Sequence, residues 1–472
     1  MTQDLDALLA SYLDLARHLD PLRHPDEAPE ELRQRLGRFD APWLVAQAAA
    51  LRSIAHAIED LETVESLDDE VDRTMLLDTI RGDILSIEAV TQAEGANPTL
   101  ALRHAMNALL ELMGEGFDAA AEAALRARIA ALPEFLATIQ QDTRPIPEAV
   151  VADSVALLGE LGDVLDEASE YLDDAAVQPA LVAHAEIRQW LEADAPRGGP
   201  AGLGEEALER QLAMLTHEPV GVRGTLRILE MRRAGVQRSL DAVALTLGSE
   251  APLALVEELR EVAELDFDEL ATEWPECWER IRSEMESLGL PATDLPCMDD
   301  PLDALDRHSL PGAAIRAHAE LMQDAACRAH PRPVRRILTA PGLSMGWGRT
   351  VAALLRTTTV GGGEEQQLMM CHRALVESVA AEVDLLLQAR RLDRAGAVAF
   401  VREQTGLEEL EAEGVVQEVS SQPLEALGAA LAHEAWQSWY ADQGGDPVAF
   451  IRRALDGGGL AVRLSRWALG AE

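Results

Sequence analysis

Residues 153–172 read DSVALLGELGDVLDEASEYL, and the pattern of this segment decides the fold class. Its apolar residues recur at steps of three and four positions, namely Leu158, Leu161, Leu165, Ala168 and Leu172. Acidic residues stand between them, namely Glu160, Asp163, Asp166, Glu167 and Glu170. On an α-helix this spacing produces one apolar stripe and an acidic outer face. The segment therefore predicts an amphipathic helix.

Most of the chain repeats this helical period. Further segments that show it are 44–61, 71–90, 100–113, 120–140, 206–216, 224–247, 253–265, 364–391 and 395–404. Alanine, leucine and glutamate, which favour helices, are abundant throughout the chain. No segment alternates apolar and polar residues for long enough to predict a sheet. We therefore expect an all-α fold.

Glycine and proline residues divide the helices and predict a boundary between two lobes. The stretch 195–204 reads APRGGPAGLG, which is too rich in helix-breaking residues to continue a helix. We expect an N-terminal helical lobe at 1–195, a linker at 196–204 and a C-terminal helical lobe at 205–472. Asn97-Pro98 predicts a turn followed by a helix start. Residues 288–312 predict a second irregular region, and Gly361–Gly363 predict a hinge or cap before a long helix.

The chain is strongly acidic. Its 40 arginine and lysine residues against 83 acidic residues give a net charge of −43. Such a surface repels phosphate backbones and anionic lipid, so we expect neither nucleic acid nor a membrane as a partner. The four cysteines lie far apart, which is typical of reduced thiols in a cytoplasmic protein. We expect no signal peptide and no membrane span, because the acidic N-terminal segment is amphipathic and no long apolar run occurs.

The motifs for a metallopeptidase helix are incomplete. Such a helix needs two histidines one turn apart and a glutamate beside the first histidine. His217-Glu218 and His433-Glu434 begin this motif, but Gly221 and Gln437 stand where the second histidine is required. We expect both pairs to be surface or capping residues.

Other histidines leave a replacement metal site open. The residues that could gather such a metal are His308, His318, His330 and His372, with Glu320 or Glu377. His372 lies next to the apolar stripe of its helix, which favours a buried core histidine instead. We therefore expect no cofactor.

A series of landmarks occurs in order along nearly the whole chain, namely residues 12–39, Asp68–Leu77, Asn97–Leu100, Leu125–Leu136, Leu203–Glu205 and Arg394–Leu407. This ordered series resembles the bacterial family called domain of unknown function 885. Members of that family are mostly helical relatives of the gluzincin metallopeptidases. The resemblance implies a two-lobed, metallopeptidase-like helical shell around a central cleft.

The active-site motif of that family is His-Glu-x-x-Pro-Gly-His-His-Leu-Gln, and Pro311-Gly312 is its counterpart here. The positions of the first histidine, the glutamate and the paired histidines then hold, in order, Arg307, His308, Ala313 and Ala314. A shift by one residue makes His308 a ligand, but Ser309 then replaces the general base and the Pro-Gly spacing breaks. In either register the second ligand and the base are missing.

Three later family positions are also altered. The family carries Glu-Gly-Trp, whose glutamate is expected to be the third metal ligand, and Met345 precedes the retained Gly346 and Trp347. The family pattern Arg-Leu-x-x-Asp-x-Gly-Leu-His corresponds to Ala380, Asp384 and Gln388, so its aspartate alone is kept among these three positions. Glu425 corresponds to a family tyrosine.

The resemblance therefore implies a peptidase relative that has lost its zinc chemistry, because zinc needs three protein ligands and a water. Our first hypothesis is a catalytically inactive binding protein, which holds a peptide, a small ligand or a protein partner in the former cleft at 307–316, 345–347 and 380–388. The second is an enzyme with a metal-free or rearranged site, such as His308, His318 and Glu377. The third is an acidic helical scaffold.

Overall fold

The computed structural model describes residues 2–19, 30–61, 66–113, 117–216, 220–291, 306–340 and 343–470. Within these ranges the fold is all-α, which confirms the prediction from the helical period. Strand-like pairing there is limited to two isolated bridges, Ile146 with Arg197 and Glu264 with Asp306. No helix in the described ranges is both long enough and apolar enough to cross a membrane.

Eight α-helices lie before the glycine-rich segment in the described ranges, and the seventh of them covers residues 153–171 of the segment 153–172. They are α1 (Thr2–Leu19), α2 (Glu30–Arg33), α3 (Ala41–Glu59), α4 (Leu67–Thr91), α5 (Pro98–Leu110), α6 (Ala119–Gln140), α7 (Glu148–Tyr171) and α8 (Asp174–Gln189). A π-helical turn, Trp190–Asp194, extends α8.

The helices after that segment carry most of the predicted site positions. They are α9 (Glu205–Thr216), α10 (Gly221–Thr246), α11 (Pro252–Ala263), α12 (Phe267–Ser287), α13 (Leu310–Ala329), α14 (Pro333–Ile337), α15 (Leu343–Leu355), α16 (Glu364–Gln388), α17 (Arg394–Thr405), α18 (Glu409–Ser421), α19 (Glu425–Gln443), α20 (Pro447–Leu455) and α21 (Val462–Ala468). A short 3-10 helix, Thr359–Gly361, precedes α16.

Capping residues set several of these boundaries as the sequence predicts. The Asn97 side chain accepts a hydrogen bond from the Thr99 backbone and caps α5, whose first residue is Pro98. Gly363 caps α16, in agreement with the prediction for the glycine run. Of the predicted irregular region 288–312, residues 292–305 lie outside the described ranges, and the prediction is wrong at its end because α13 begins at Leu310. Pro311 is the second residue of α13, where a backbone N–H would have no partner within the helix, so the proline loses no hydrogen bond.

Two buried apolar clusters organise the fold. The larger cluster joins α1, α3 and α4 with α12–α15 and α19–α21. A second cluster is built mainly by α5–α8. Helices from before residue 195 therefore share a core with helices from after residue 205. The apolar packing crosses the predicted lobe boundary at 196–204, and the division into two lobes stays a prediction.

Buried ion pairs add to the contact between the two halves of the chain. Arg335 on α14 is buried, and its Nε donates to Asp72 of α4 at 2.6 Å. Its Nη2 donates to Asp68 at 2.6 Å, and Arg332 also pairs with Asp72 and with Asp69. Asp72 is buried as well, so its charge would be left uncompensated only if both arginines were removed.

Candidate functional site

A cavity of about 1300 Å³ lies between helices from both sides of the 196–204 segment. Its wall is formed by parts of α4, α7 and α9, the start of α15, the end of α16 and the start of α19. Pockets for drug-sized ligands usually measure about 300–1,000 Å³. The cavity therefore has room for a larger, extended molecule.

Three of the positions that the family resemblance singles out line this cavity. They are Met345, Gln388 and Glu425, which come from three different helices. Gly428, which follows Glu425 by three residues on α19, also lines the cavity. The tertiary structure thus brings together three positions that the resemblance singled out between residues 345 and 425.

Asp384 fixes the wall that carries Glu425. This carboxylate is fully buried on α16 and accepts hydrogen bonds from the backbone N–H groups of Leu424 (3.0 Å) and Leu427 (3.2 Å). Burial raises the pKa of Asp384 to about 7, although both hydrogen bonds act in the opposite direction. Asp384 therefore caps the first turn of α19 from outside that helix. Gln388 follows it by one helical turn, on the same side of α16.

Backbone strain is concentrated in the same wall. Within the described ranges, the non-glycine residues with positive φ are Leu424 (φ 71°) and Arg390 (φ 58°). Both line the cavity. A left-handed conformation is unfavourable for residues with a Cβ atom, and such strain tends to occur at binding sites. The backbone geometry therefore marks this cavity as the candidate functional site.

Close helix packing brings Met345 to the cavity. A Cβ atom on Gly346 would lie 2.6 Å from Cβ of Ala432 and 2.9 Å from the carbonyl oxygen of Ala429, so only glycine allows α15 to approach α19 this closely. The next residue, Trp347, is 1 % exposed, and its Nε1 donates to the Ala319 carbonyl at 3.0 Å. It joins α15 to α13 in the core and is not part of the cavity wall.

The positions of the first family motif lie elsewhere. Arg307 pairs with Glu273 on α12, and the Nδ1 of His308 lies 3.2 Å from the amide nitrogen of Gln366. The Pro-Gly and the two alanines are buried in the first turns of α13, namely Pro311, Gly312, Ala313 and Ala314. Ala380 packs against another apolar cluster, formed by α10, α11 and α16–α18. The structure does not bring these residues to the cavity.

The residues at the family's metal positions do not fit a zinc ion. Ala313 and Ala314 offer methyl groups, and Met345 offers a thioether, none of which is a usual zinc ligand in proteins. In the part of the chain that the structure describes, no three histidine, cysteine or acidic residues are grouped so that they could hold a metal ion.

The histidines considered for a replacement site each contact a different part of the fold. His318 stacks on Trp278 and lies 3.1 Å from the carbonyl oxygen of that residue. His330 accepts a hydrogen bond from the backbone of Arg332. His372 is buried with its Nε2 2.8 Å from the Thr405 carbonyl, which confirms the prediction of a core histidine.

The prediction for His433 is wrong, because this residue is buried and not at the surface. Its Nδ1 lies 3.0 Å from the hydroxyl of Thr350. Burial and the charge of Arg232 hold the pKa of His433 well below its ordinary value, so the ring is neutral. Glu434 accepts a hydrogen bond from Arg232 at 2.9 Å. The other pair, His217-Glu218, lies outside the described residues.

A buried cluster of arginines and carboxylates lies between α13, α15 and α16. Glu377 on α16 has Arg373 at 3.3 Å, Arg349 at 3.4 Å and Arg316 at 3.9 Å. Burial raises the pKa of Glu377, but the surrounding guanidinium groups outweigh this effect and lower it to about 2. Burial raises the pKa of the neighbouring Glu320 to about 7, and its arginine neighbours offset this only in part.

This cluster was not found from the sequence. Two of its arginines, Arg316 on α13 and Arg349 on α15, lie within largely apolar stretches, which is the signal that would have indicated buried ion pairs. Arg316, Arg349 and Glu377 lie on separate helices, so the helical period of the sequence does not indicate that they are in contact. We interpret the cluster as structural, because each of the three arginines near Glu377 has this carboxylate as a partner.

Comparisons with known proteins identify the fold. No protein-family model matches the sequence, and no curated protein matches it. A candidate lipoprotein of unknown function from Shewanella oneidensis matches with a TM-score of 0.74 and 14 % identity, over 100 % of this chain and 99 % of that chain. A candidate lipoprotein from Colwellia psychrerythraea matches with a TM-score of 0.73 and 14 % identity, over 100 % and 98 % of the two chains.

The fold is shared. At this identity, the likeness to the two solved structures extends over the whole chain but concerns the fold alone.

Proposed function

We propose that the protein is a non-catalytic binding protein that holds a peptide in the cavity and does not cleave it. The observation that carries this proposal is the convergence of Met345, Gln388 and Glu425 on a cavity of about 1300 Å³, whose wall also contains the two strained residues Leu424 and Arg390. The resemblance to a peptidase family, with alanine and methionine in place of metal ligands, supports the absence of cleavage.

The composition of the wall favours a peptide over an acyl chain. The wall is mostly apolar, and polar side chains lie among its apolar residues, for example Thr79, Ser86, Asn97 and Gln211. An acyl chain would remove water from such polar groups without offering hydrogen bonds, which costs free energy. A peptide carries a donor and an acceptor on nearly every residue and can satisfy them.

The test uses a mixture of random hexapeptides and the full-length protein. Peptides that remain bound after ultrafiltration are identified by mass spectrometry. We expect a subset of the mixture to be retained at unchanged length, with or without a chelator. Release of shortened peptides in a chelator-sensitive reaction would show that the protein is an active metallopeptidase, and retention of no peptide would contradict peptide binding.

A matched pair of variants assigns the binding to the cavity. Gly82 on α4 lines the cavity and has no atom within 4 Å of the position that a Cβ would take, so Gly82→Trp places an indole inside it. Gly159 on α7 has the same free space but does not line the cavity. We expect Gly82→Trp to lose the retained peptides and Gly159→Trp to keep them.

For the location in the cell, we propose the cytoplasm, because Cys277, Cys327 and Cys371 are free and buried. Cys297 lies outside the described residues. The two structural neighbours are candidate lipoproteins, which favours the alternative of attachment to a membrane outside the cytoplasm. Cell fractionation distinguishes the two, since recovery of the protein in the membrane fraction would contradict the cytoplasmic location.

A further inference from the structure

The charged residues of the cavity wall are almost all engaged with other residues. Among the described lining residues, the charged ones are Asp78, Asp83, Asp153, Arg390, Arg391, Asp393, Arg394 and Glu425. Seven of them have a partner: Asp78 pairs with Arg463, Asp83 with Tyr12, Asp153 with Arg394, Arg390 with Glu94, Arg391 with Glu205, and Asp393 with the backbone N–H of Gly396. Glu425 remains, and in the described ranges its carboxylate has no hydrogen bond and no ion pair within 4 Å.

Gln388 is an uncharged polar residue of the same wall. It is 5 % exposed and lines the cavity, and its side-chain amide has no hydrogen bond to a described residue. Such an amide can receive its hydrogen bonds from a ligand or from water. Asp384 joins the two groups, because it binds the first turn of α19 beside Glu425 and lies one turn before Gln388 on α16.

The nearest cations do not neutralise Glu425 by contact. Arg103 acts on it through space but donates its own hydrogen bond to the hydroxyl of Ser421. Arg349 also acts at a distance, and it pairs with Glu377. Burial and the nearby negative charge of Glu418 raise the pKa of Glu425, and the two arginines offset this only in part. Glu425 is an exposed residue that lines the cavity, so a ligand can reach it.

We propose that Glu425 and Gln388 together bind a primary ammonium group of the ligand, an inference that rests on the proposed peptide-binding function. An ammonium group has three N–H donors and no acceptor. A carboxylate and an amide oxygen in one wall can accept two of these donors, and a hydrogen bond between charged partners is stronger than a neutral one. The net charge of −43 also attracts cations to the protein.

A peptide can supply this group from its N-terminus or from a lysine side chain. The experiment therefore compares three C-terminally amidated hexapeptides of one sequence, chosen from those retained in the mixture and free of lysine. The first has a free N-terminus, the second is N-acetylated, and the third is N-acetylated with one residue changed to lysine. Affinities are measured by isothermal titration calorimetry on the full-length protein.

We expect acetylation to weaken binding by about tenfold or more, as for loss of a charge-assisted hydrogen-bonded pair. Recovery by the lysine peptide would assign the ammonium group to a side chain, and no recovery would assign it to the N-terminus. In Glu425→Gln the free and acetylated peptides should bind alike, and in Gln388→Leu the difference should shrink. Glu418→Gln removes a nearby charge that does not line the cavity, so this control should keep the difference.

Equal binding of the free and acetylated peptides to the unmodified protein would overturn the ammonium site and leave peptide binding intact. The ammonium site would also be overturned if Glu425→Gln kept the full difference in affinity between the free and the acetylated peptide. Failure of every hexapeptide in the mixture to bind would overturn the proposed function and the ammonium site together. Thermal unfolding of each variant checks that it is folded, which matters most for Gln388→Leu because Gln388 is buried and Glu425 is exposed.

Discussion

Asp384 on α16 accepts a hydrogen bond from the backbone N–H of Leu424, a residue held at φ 71° immediately before α19. This bond links a fully buried carboxylate to one of the strained residues of the cavity wall. A leucine does not adopt this conformation without support from its surroundings. The contact therefore explains how the first turn of α19, and with it Glu425, is held at the cavity.

Removal of this carboxylate should loosen the start of α19. In Asp384→Ala the N–H groups of Leu424 and Leu427 lose their acceptor, so both should open to solvent more often. Hydrogen–deuterium exchange measured by mass spectrometry should show faster exchange in peptides that cover 424–428. Asp163→Ala, which removes an exposed carboxylate on α7, serves as the control and should leave this region unchanged. Unchanged exchange in Asp384→Ala would contradict the capping role.

A β-branched residue at position 424 should be costly. Left-handed backbone is least tolerated by side chains that branch at Cβ, so Leu424→Val should lower the free energy of unfolding by about 1–2 kcal/mol beyond the effect of removing one methylene. Leu226→Val changes a leucine that is partly buried against the same apolar cluster but lies inside α10. Urea denaturation of the two variants measures the difference. Equal losses would show that residue 424 is not strained.

Glu377 should be a large contributor to stability at neutral pH. Glu377→Gln leaves three arginines around a neutral side chain, and we expect a loss of about 3–5 kcal/mol. Since the pKa of Glu377 in the folded protein is lowered to about 2, the difference from the unmodified protein should persist above pH 4.5 and decrease as the pH falls towards 2. Glu403→Gln removes an exposed charge from α17 and should change stability little.

Glu320 should show the opposite dependence on pH. Its pKa is about 7 in the folded protein against an ordinary value of 4.5, so the folded state binds the proton more tightly than the unfolded state. Its contribution to stability is therefore full below pH 4.5 and declines as the pH rises through 7. Glu320→Gln lacks this decline and should be more stable than the unmodified protein at pH 8, by up to about 3 kcal/mol.

Urea denaturation at pH 5 and pH 8 tests this dependence. The advantage of Glu320→Gln should be small at pH 5 and appear at pH 8. A constant difference between the two proteins at both pH values would contradict the raised pKa of Glu320.

Chelation should not affect the protein. Because Ala313, Ala314 and Met345 cannot coordinate zinc, we expect substoichiometric zinc after dialysis and the same melting temperature with and without EDTA. Elemental analysis and thermal unfolding measure these quantities. Stoichiometric zinc that is lost in His308→Ala would contradict the proposal and support an enzyme with a rearranged site.

Part of the candidate site was predictable from the sequence and part was not. The resemblance singled out Met345, Gln388 and Glu425 in separate segments, and these three residues line the cavity. It also singled out Trp347, which lies in the core, and Arg307, which pairs with Glu273 at the surface. A linear motif assigns residues to positions, but it does not state which way each helix turns its side chains.

The sequence by itself determined that the protein is helical, because the apolar period of segments such as 153–172 allows burial of one face only if the segment is a helix. It also placed the caps at Asn97 and Gly363. The apolar period did not single out α8 and α12. Each of these helices continues through an internal proline, which is Pro179 in α8 and Pro275 in α12.

Only the tertiary structure decided which helices share a core, where the cavity lies and which charges are left without partners. Amphipathic helices of similar composition can pack in many ways, because an apolar stripe carries little information about which other stripe it will contact. The partners of Glu377 come from three helices, and the engagement of seven of the eight charged wall residues depends on that packing. Burial and charge at a site are properties of the assembled helices and not of any one segment.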